Sequence, residues 1–414
     1  MDVPSKSNKA WVDIVTGKKT FQLKFLAAKI LLGRLTRSVK EDPSPENISS
    51  SIDQIYAIFA NNVNMPSVQD DLKTIFGYEG VMQQTISTVA DIKQKIEAGR
   101  KLLLAGDEEA LRALPKGDWI AGTIPYFIAA DKGGMVSREM ICATDITDYT
   151  AGIEIAVYDA NGLARIYTEG PKHGFSFIIL PAASKTHLSF ALNAPNYKDF
   201  GVRPLIGWVA GVHLSDLGKK TPKVVNGQTG EVLEDAALVL QAQLPPGKVA
   251  EIGIINLFEQ GDGDILSFGS DGFSAKDVLV NGEKRNFAAY IMKNKLDTKL
   301  PLVADYYGAM VNISFQDVDE VEGQVKFYAP VFTGIRYKHA RPVADYVKVF
   351  NDRLGREGAI DSSRVAFSCN CILNYLYSEL EGKKTDPFVG PVTFGEIAYQ
   401  LLNQTLVYLE IMDV

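Results

Sequence analysis

The sequence predicts a mixed protein of the α+β or α/β class: two tandem α/β units with mixed sheets, preceded by an α-helical N-terminal region. Residues 20–114 place apolar side chains at helical spacing between capping residues. After Gly117, short apolar runs separated by Gly, Pro and Asn-Gly turns alternate with a few helical segments. The predicted parts are a polar tail (1–19), the helical region (20–114), and α/β units at 117–240 and 241–414.

The helical region begins with a basic amphipathic segment. Residues 18–40 carry seven Lys or Arg residues and no acid, beside an apolar face. This pattern fits a helix on a membrane surface or a partner, but a helix packed on its neighbours is favoured, because two more helical segments follow at once. The remaining predicted helices are at 45–60, 68–76, 81–104 and 108–113. We expect this region to dock a signalling partner or form a homodimer, and residues 117–414 to stay soluble without residues 1–114.

The two α/β units are predicted mainly from apolar runs of strand length. Asn161-Gly162 predicts a hairpin between strands at 153–159 and 164–168. The apolar run at 250–258 predicts a strand buried on both faces. The other predicted strands are at 119–124, 139–143, 175–180, 205–212, 236–244, 265–268, 277–280, 302–304, 309–315 and 325–328. The predicted helices are at 184–192, 283–292 and 341–354.

The terminal stretch, residues 362–413, is the part around which the second unit is organised. A buried strand at 365–368 is predicted to enter a Cys369-Asn370-Cys371 turn, before a helix at 372–380 and a closing strand at 405–411. Small polar residues therefore gather where a strand meets a helix. In α/β sheets that rim is where small ligands usually bind, so the stretch predicts a pocket.

Composition excludes several classes of function. The chain has 414 residues and a net charge of −7, which argues against nucleic acid as the main partner because phosphate binding needs a basic field. Three cysteines give no disulfide framework and indicate a reducing, cytoplasmic setting. No secretion signal or membrane-spanning apolar run is predicted. Phosphate-binding and metal-binding motifs are also missing, so no cofactor and no metal are expected.

Cys369 is the first candidate for chemistry. A Cys at a strand-to-helix junction can act as a nucleophile when the helix N-terminus favours its thiolate. That role needs a general base, and none of the four histidines has a recognisable partner pattern; they are His173, His187, His213 and His339. The alternative is a small buried Cys that lines a core or a pocket.

Glu396 is the second candidate, set between Gly395 and an apolar Ile. A partly buried acid there can hold a ligand amine or can satisfy backbone N–H groups as a structural cap. Asn403 fits a pocket-facing amide or a plain turn. Asp305 follows an apolar strand and fits a strand-end ligand contact or a polar turn. Arg336 can pair with a ligand carboxylate or lie exposed on a strand.

The terminal stretch resembles the C-terminal part of the FIST family of sensory domains. The residues that carry the resemblance are Cys369, Gly390, Gly395, Glu396, Ile397, Asn403 and Thr405. The stretches LPPGKVAEIGIINLF and DVLVNGEKRNFAAYI are similar to the family as well. The resemblance covers about 117–414, and it implies an N-terminal FIST-like unit at 117–240 and a C-terminal one at 241–414.

The resemblance implies a ligand-binding, sensory protein that acts in signal transduction. The ligand is expected to be small, with an amino acid as one possibility, and the pocket to include Cys369, Asn370 and Glu396, with Asp305 and Asn403 beside them. Two other functions stay open: an enzyme that uses Cys369 or Glu396, and a non-catalytic interaction or structural protein.

Overall fold

The structure is a computed structural model that describes residues 84–306, 309–356 and 364–413. The predicted polar tail and the segments at 18–40, 45–60 and 68–76 lie outside the described residues. Contacts divide the described chain into two compact units. We call residues 258–342 the central unit, and residues 84–257, 343–355 and 364–413 the main unit.

The first part of the main unit is built from thirteen strands and four helices among the described residues. The strands are β1 (Gln84–Thr88), β2 (Leu102–Gly106), β3 (Trp119–Thr123), β4 (Tyr126–Ala129), β5 (Gly133–Val136), β6 (Met140–Asp145), β7 (Gly152–Tyr158), β8 (Gly174–Pro181), β9 (Leu205–Ala210), β10 (Val224–Asn226), β11 (Val232–Leu233), β12 (Ala237–Gln243) and β13 (Lys248–Ile255). The helices are α1 (Val89–Glu97), α2 (Glu108–Arg112), α3 (Ile166–Glu169) and α4 (Lys185–Asn193).

The central unit follows, and the chain then returns to the main unit. The central elements are β14 (Leu266–Ser267), β15 (Gly272–Ala275), β16 (Asp277–Val280), β17 (Glu283–Asn286), α5 (Phe287–Asn294), β18 (Leu302–Tyr306), β19 (Ala309–Ile313), β20 (Phe315–Asp319), β21 (Gln324–Val331) and β22 (Tyr337–His339). The returning elements are α6 (Tyr346–Arg356), β23 (Val365–Cys371), α7 (Ile372–Tyr377), β24 (Gly390–Thr393), β25 (Glu396–Ala398), β26 (Gln400–Leu402) and β27 (Leu406–Asp413).

Three six-stranded sheets form the main unit, in the orders β1-β6-β2-β3-β10-β11, β26-β25-β9-β8-β12-β7 and β13-β27-β23-β24-β4-β5. Each sheet is mixed, because one pair in each is parallel: β2–β3, β8–β9 and β23–β24. The predicted class, mixed α/β with mixed sheets, is therefore confirmed, with strands predominating. The predicted boundary between residues 240 and 241 falls inside β12.

The continuous helix predicted over 81–104 is wrong for the described residues. The strand β1 precedes α1, which begins after Thr88. A capping box marks this start: the Thr88 hydroxyl accepts from the Asp91 backbone N–H, and the Asp91 side chain accepts from the Thr88 backbone N–H. Gly99, at φ +73°, follows the helix, and β2 then forms a fully buried strand. Apolar residues at every position of Leu102–Leu104 do not reveal a period, so the sequence does not distinguish a strand from a helix there.

In contrast to the prediction from the sequence, the strand pairing leads us to expect that deleting residues 1–114 makes residues 117–414 insoluble or unfolded. The deletion removes β2, which pairs with both β3 and β6, and it exposes the edges of both strands. It also removes Ile92, Leu102 and Leu111 from the core cluster that contains Trp119. Soluble yield and far-UV circular dichroism, compared with the full chain, check this; a soluble and cooperatively folding product would contradict it.

Three other local predictions are corrected. The hairpin at Asn161-Gly162 and the strand at 164–168 are wrong, because Gly162 N bonds the Asp159 side chain and the chain continues as helical turns into α3. The helix at 283–292 begins only at Phe287, after β17. The strand at 250–258 corresponds to β13, which is only half-buried and pairs with β27 alone within the described chain.

The central unit has two sheets, in the orders β17-β16-β14-β22-β18-β19 and β15-β21-β20. Its core is aromatic, with Phe268 in edge contact with Phe287 and Phe327, and Phe315 packed beside both of the latter. These contacts fix one face of α5 against the sheets. None of the helices in the described ranges combines the length and the apolar composition needed to cross a membrane.

Candidate functional site

The strongest cluster of buried polar groups in the terminal stretch lies where β23, β24, β25 and β27 meet. β23 runs parallel to β24, with Cys371 opposite Thr393, and antiparallel to β27. The predicted turn at 369–371 is instead the end of β23, and the backbone N–H of Cys371 donates to Thr405 O over 3.2 Å. Thr393 lies three residues before Glu396, and the folding of the strands brings Thr405 to it; we call these three residues the Glu396 cluster.

Glu396 is fully buried and has three hydrogen-bond contacts in this cluster. The Thr405 hydroxyl donates to Oε2 over 2.9 Å, and the Thr405 backbone N–H donates to the same oxygen over 3.3 Å. Oε1 lies 3.3 Å from the Thr393 hydroxyl. The contacts come from β24 and from the residue before β27, so the carboxyl group ties these segments to β25.

The Glu396 carboxyl is mainly protonated at neutral pH. Burial raises its pKa to about 8, although the hydrogen bonds from Thr405 and Thr393 oppose the rise. The geometry agrees, because the single Thr393 hydroxyl hydrogen faces three oxygens: Glu396 Oε1, Gly395 O at 3.1 Å and Asn370 O at 3.3 Å. A protonated Oε1 can donate to Thr393 Oγ1, which then donates to a carbonyl.

A second polar group, the amide cluster, consists of Asn370, Asn374 and Tyr346. Asn374 Nδ2 donates to Asn370 Oδ1 over 3.0 Å and to Tyr346 Oη over 3.1 Å. Asn370 Oδ1 also accepts from the Cys371 backbone N–H over 2.8 Å. All three side chains are buried, and burial raises the pKa of Tyr346. The cluster therefore links β23, α7 and α6.

The amide cluster leaves one donor and one acceptor unused. Asn370 Nδ2 and Asn374 Oδ1 have no hydrogen-bond partner within the part of the chain that the structure describes. Leaving a buried polar group unsatisfied costs about 1–3 kcal/mol, so buried amides normally have partners. These two atoms are therefore the unsatisfied polar groups of the amide cluster.

The three thiols do not have the properties of nucleophiles. Cys369 and Cys371 are buried, and burial raises the pKa of each well above its ordinary value. Burial likewise raises the pKa of Cys142 to about 12. Cys369 Sγ lies 3.9 Å from the Gly207 carbonyl oxygen on β9. A catalytic cysteine needs the opposite pKa shift, so the arrangement favours packing over nucleophilic attack.

The structure brings some of the predicted site residues together and separates others. Cys369, Asn370 and Glu396 lie at the meeting point of the strands, and Gly395 supplies a carbonyl to Thr393. Asn403 is buried two residues before Thr405. Asp305, on β18, and Arg336, just before β22, are both exposed and belong to the central unit.

Sequence reasoning missed Thr393, Asn374 and Tyr346. A signal existed for Asn374, because it is the amide in an otherwise apolar helix, ILNYLY. Tyr346 had none, since it lies 24 residues before Asn370 and approaches only in the folded chain.

Comparison with known proteins gives a family but no activity. No cluster of three or more metal-ligating side chains occurs in residues 84–306, 309–356 and 364–413. No curated protein sequence matches the chain, and no solved structure matches it. The model of a family of unknown function, DUF6976, matches residues 87–412, which is most of the chain. The chain therefore belongs to the DUF6976 family.

Proposed function

We propose that the chain is a small-ligand-binding or sensing protein of the FIST type, which signals through a partner rather than catalysing a reaction. The observation that carries the proposal is the pair of unused amide atoms, Asn370 Nδ2 and Asn374 Oδ1, inside a buried polar network. A bound molecule that forms hydrogen bonds to both atoms removes the free-energy cost of burying them without partners. The unbound protein keeps this cost, so the difference favours binding.

The chemistry of these groups supports a neutral, amide-like ligand. One donor and one acceptor, on two asparagines that are hydrogen-bonded to each other, match the oxygen and the NH₂ of a carboxamide. The neighbouring hydrogen bonds come from hydroxyl, amide and backbone groups, and Glu396 is mainly protonated at neutral pH. Free carboxylates prefer charged donors. Among amino acids, glutamine and asparagine therefore fit best, through their side-chain amides.

A second candidate function is a non-catalytic interaction or structural protein. The observation in its favour is that Glu396 has no exposed surface and connects three segments, as a structural cross-link does. An enzyme that uses Cys369 or Glu396 is less favoured, because burial raises the pKa of the thiol and Glu396 has no surface exposed to a substrate.

A thermal-shift and calorimetry panel tests the proposal, with acetamide, glutamine and asparagine against glutamate and aspartate. A ligand at a hundred times its Kd adds about 2.7 kcal/mol to stability, so the parent should melt at a higher temperature with the carboxamides. Asn370→Leu removes the unused donor and should lose the shift. Tyr346→Phe keeps both unused atoms and should retain it.

Two results would contradict the proposal. No shift and no heat with any carboxamide would leave the interaction protein as the better description. An equal shift in the parent and in Asn370→Leu would show that the ligand binds away from the amide cluster. If Asn370→Leu does not fold, Asn370→Ser provides the same comparison with a smaller side chain.

A further inference from the structure

The strand β7 is an edge strand whose outer side pairs with no other strand in the described chain. It ends the order β26-β25-β9-β8-β12-β7 and pairs with β12 alone. The ladder to β12 is antiparallel and continuous over all seven residues, from Gly152 to Tyr158. In such a ladder, alternate residues direct their backbone N–H and C=O groups away from the partner. These groups along the outer side of β7 are therefore able to bond to an added strand.

Most of the features that keep edge strands from pairing with other chains are missing from β7. Protected edge strands are usually short, bulged, or rich in charged residues and proline. The sequence of β7, GIEIAVY, contains neither proline nor lysine, and its register with β12 shows no bulge. Glu154 is its one charged residue. The strand is thus a long, regular and mainly apolar edge.

The other edges of the main unit are better protected. β26 has three residues and β11 has two, while β1 consists of four polar residues and one isoleucine. The edge at β5 is bonded by a loop, since Gly134 N donates to Lys383 O over 3.0 Å and Gly382 N donates to Gly134 O over 2.8 Å. β13 is long, but it carries Lys248 and Glu251. Among the edges described in this unit, β7 is therefore the least protected against strand addition.

One face of β7 is apolar along the strand. Ile153, Ile155 and Val157 are alternate residues, so their side chains lie on the same face of the sheet. Val157 is 45% exposed, and the two isoleucines are half-buried. A strand added beside β7 covers part of this surface, and the removal of apolar surface from water favours the added strand.

The sequence of β7 is complementary to a second copy of itself in antiparallel orientation. A pairing centred on Ile155, the middle residue, aligns all seven residues with those of the copy. It sets Ile155 opposite Ile155 and Ile153 opposite Val157, so the apolar faces are continuous. Glu154 then lies opposite Ala156 rather than opposite its own copy, and the two Glu154 side chains are diagonal neighbours at about 7–8 Å. A two-fold axis at Ile155 generates this pairing, and two-fold dimers are the commonest oligomers.

We propose that the chain forms a two-fold symmetric homodimer in which β7 pairs antiparallel with β7 of a second copy, so that two six-stranded sheets continue as one. A second copy is favoured as the partner because β7 matches its own sequence over its full length. The sequence before β1 predicts helices, which do not extend a sheet. An edge-to-edge contact is smaller than the standard interface of about 1,600 Å², so we expect a Kd in the micromolar range.

Sedimentation velocity of the full chain, at about 1 to 200 µM, tests the dimer. The parent should change from monomer to dimer over this range. Val157→Lys places a charge opposite Ile153 of the second copy, and lysine protects many natural edge strands, so this variant should weaken dimerisation at least about tenfold. Val202→Lys is the matched control, because Val202 is 56% exposed and lies outside the strands. It should dimerise as the parent does.

Neutralising Glu154 tests the same pairing in the opposite direction. The two Glu154 side chains repel each other across the proposed pair, so Glu154→Gln should tighten the dimer by about two- to fivefold. Glu139→Gln removes an exposed charge outside β7 and should leave Kd unchanged. If Val157→Lys does not fold, this pair of variants decides.

Three results would overturn the proposal. The first is a parent chain that stays monomeric over the whole range of concentration. The second is a dimer that a folded Val157→Lys chain still forms as tightly as the parent, or that Val202→Lys weakens equally. The third is a Kd that Glu154→Gln leaves unchanged or raises, because the pairing centred on Ile155 requires it to fall.

Discussion

The free energy of unfolding of the parent chain is expected to fall, relative to that of Glu396→Gln, as pH rises from about 5 to about 8. Burial raises the pKa of Glu396 to about 8, above the value near 4.3 of an unfolded glutamate. Between these values the folded state holds a proton that the unfolded state has lost. Stability from this proton is therefore complete below the unfolded pKa and decreases through the folded pKa, by at most about 1.4 kcal/mol per pH unit.

Urea unfolding at pH 5, 6, 7 and 8 measures this difference. Glutamine does not titrate, and its amide can donate to Thr393 Oγ1 as a protonated carboxyl group can, so Glu396→Gln should remain folded. Glu139→Gln is the matched control, because Glu139 is exposed. Its stability should run parallel to that of the parent. If the free energy of unfolding of Glu396→Gln also changed with pH in parallel with that of the parent, Glu396 would be ionised in the folded chain.

The strands of the terminal stretch could be predicted because their signals are local. The closing strand predicted at 405–411 is observed as β27, and the buried strand predicted at 365–368 is the first part of β23. The error at 81–104 has a physical cause. Leu102–Leu104 is central in its sheet, buried on both faces, and such a strand has no polar alternation to distinguish it from a buried helix.

The candidate site was predicted only in part, for a related reason. Glu396 could be identified from the sequence because an acid between Gly395 and an apolar residue is a local signal, which does not depend on the rest of the fold. Thr393 lies only three residues before it, but the contact from Thr405, nine residues further along the chain, depends on how the strands fold together. Tyr346 joins the amide cluster from α6, across a separation in sequence that no local pattern encodes.

Gly207→Ala is expected to give the largest loss of stability among single substitutions near the site. Gly207 lies on β9, between β8 and β25, in parallel register with Ile178. A Cβ at Gly207 would lie 1.8 Å from Ile178 O and 2.7 Å from Ile178 C. Both are backbone atoms of a buried strand, so relief requires β8 and β9 to separate and to break their ladder.

The expected cost of Gly207→Ala exceeds about 4 kcal/mol, which is unusual for one methyl group. Gly152→Ala is the matched control, because a Cβ there would meet only Gln243 Oε1, at 4.0 Å. Its effect should stay within about 1 kcal/mol. Urea midpoints of both variants decide the matter. Since Gly207 O contacts Cys369 Sγ, a soluble Gly207→Ala chain should also lose carboxamide binding. Equal urea midpoints for Gly207→Ala and Gly152→Ala would show that β8 and β9 lie farther apart than in the structure.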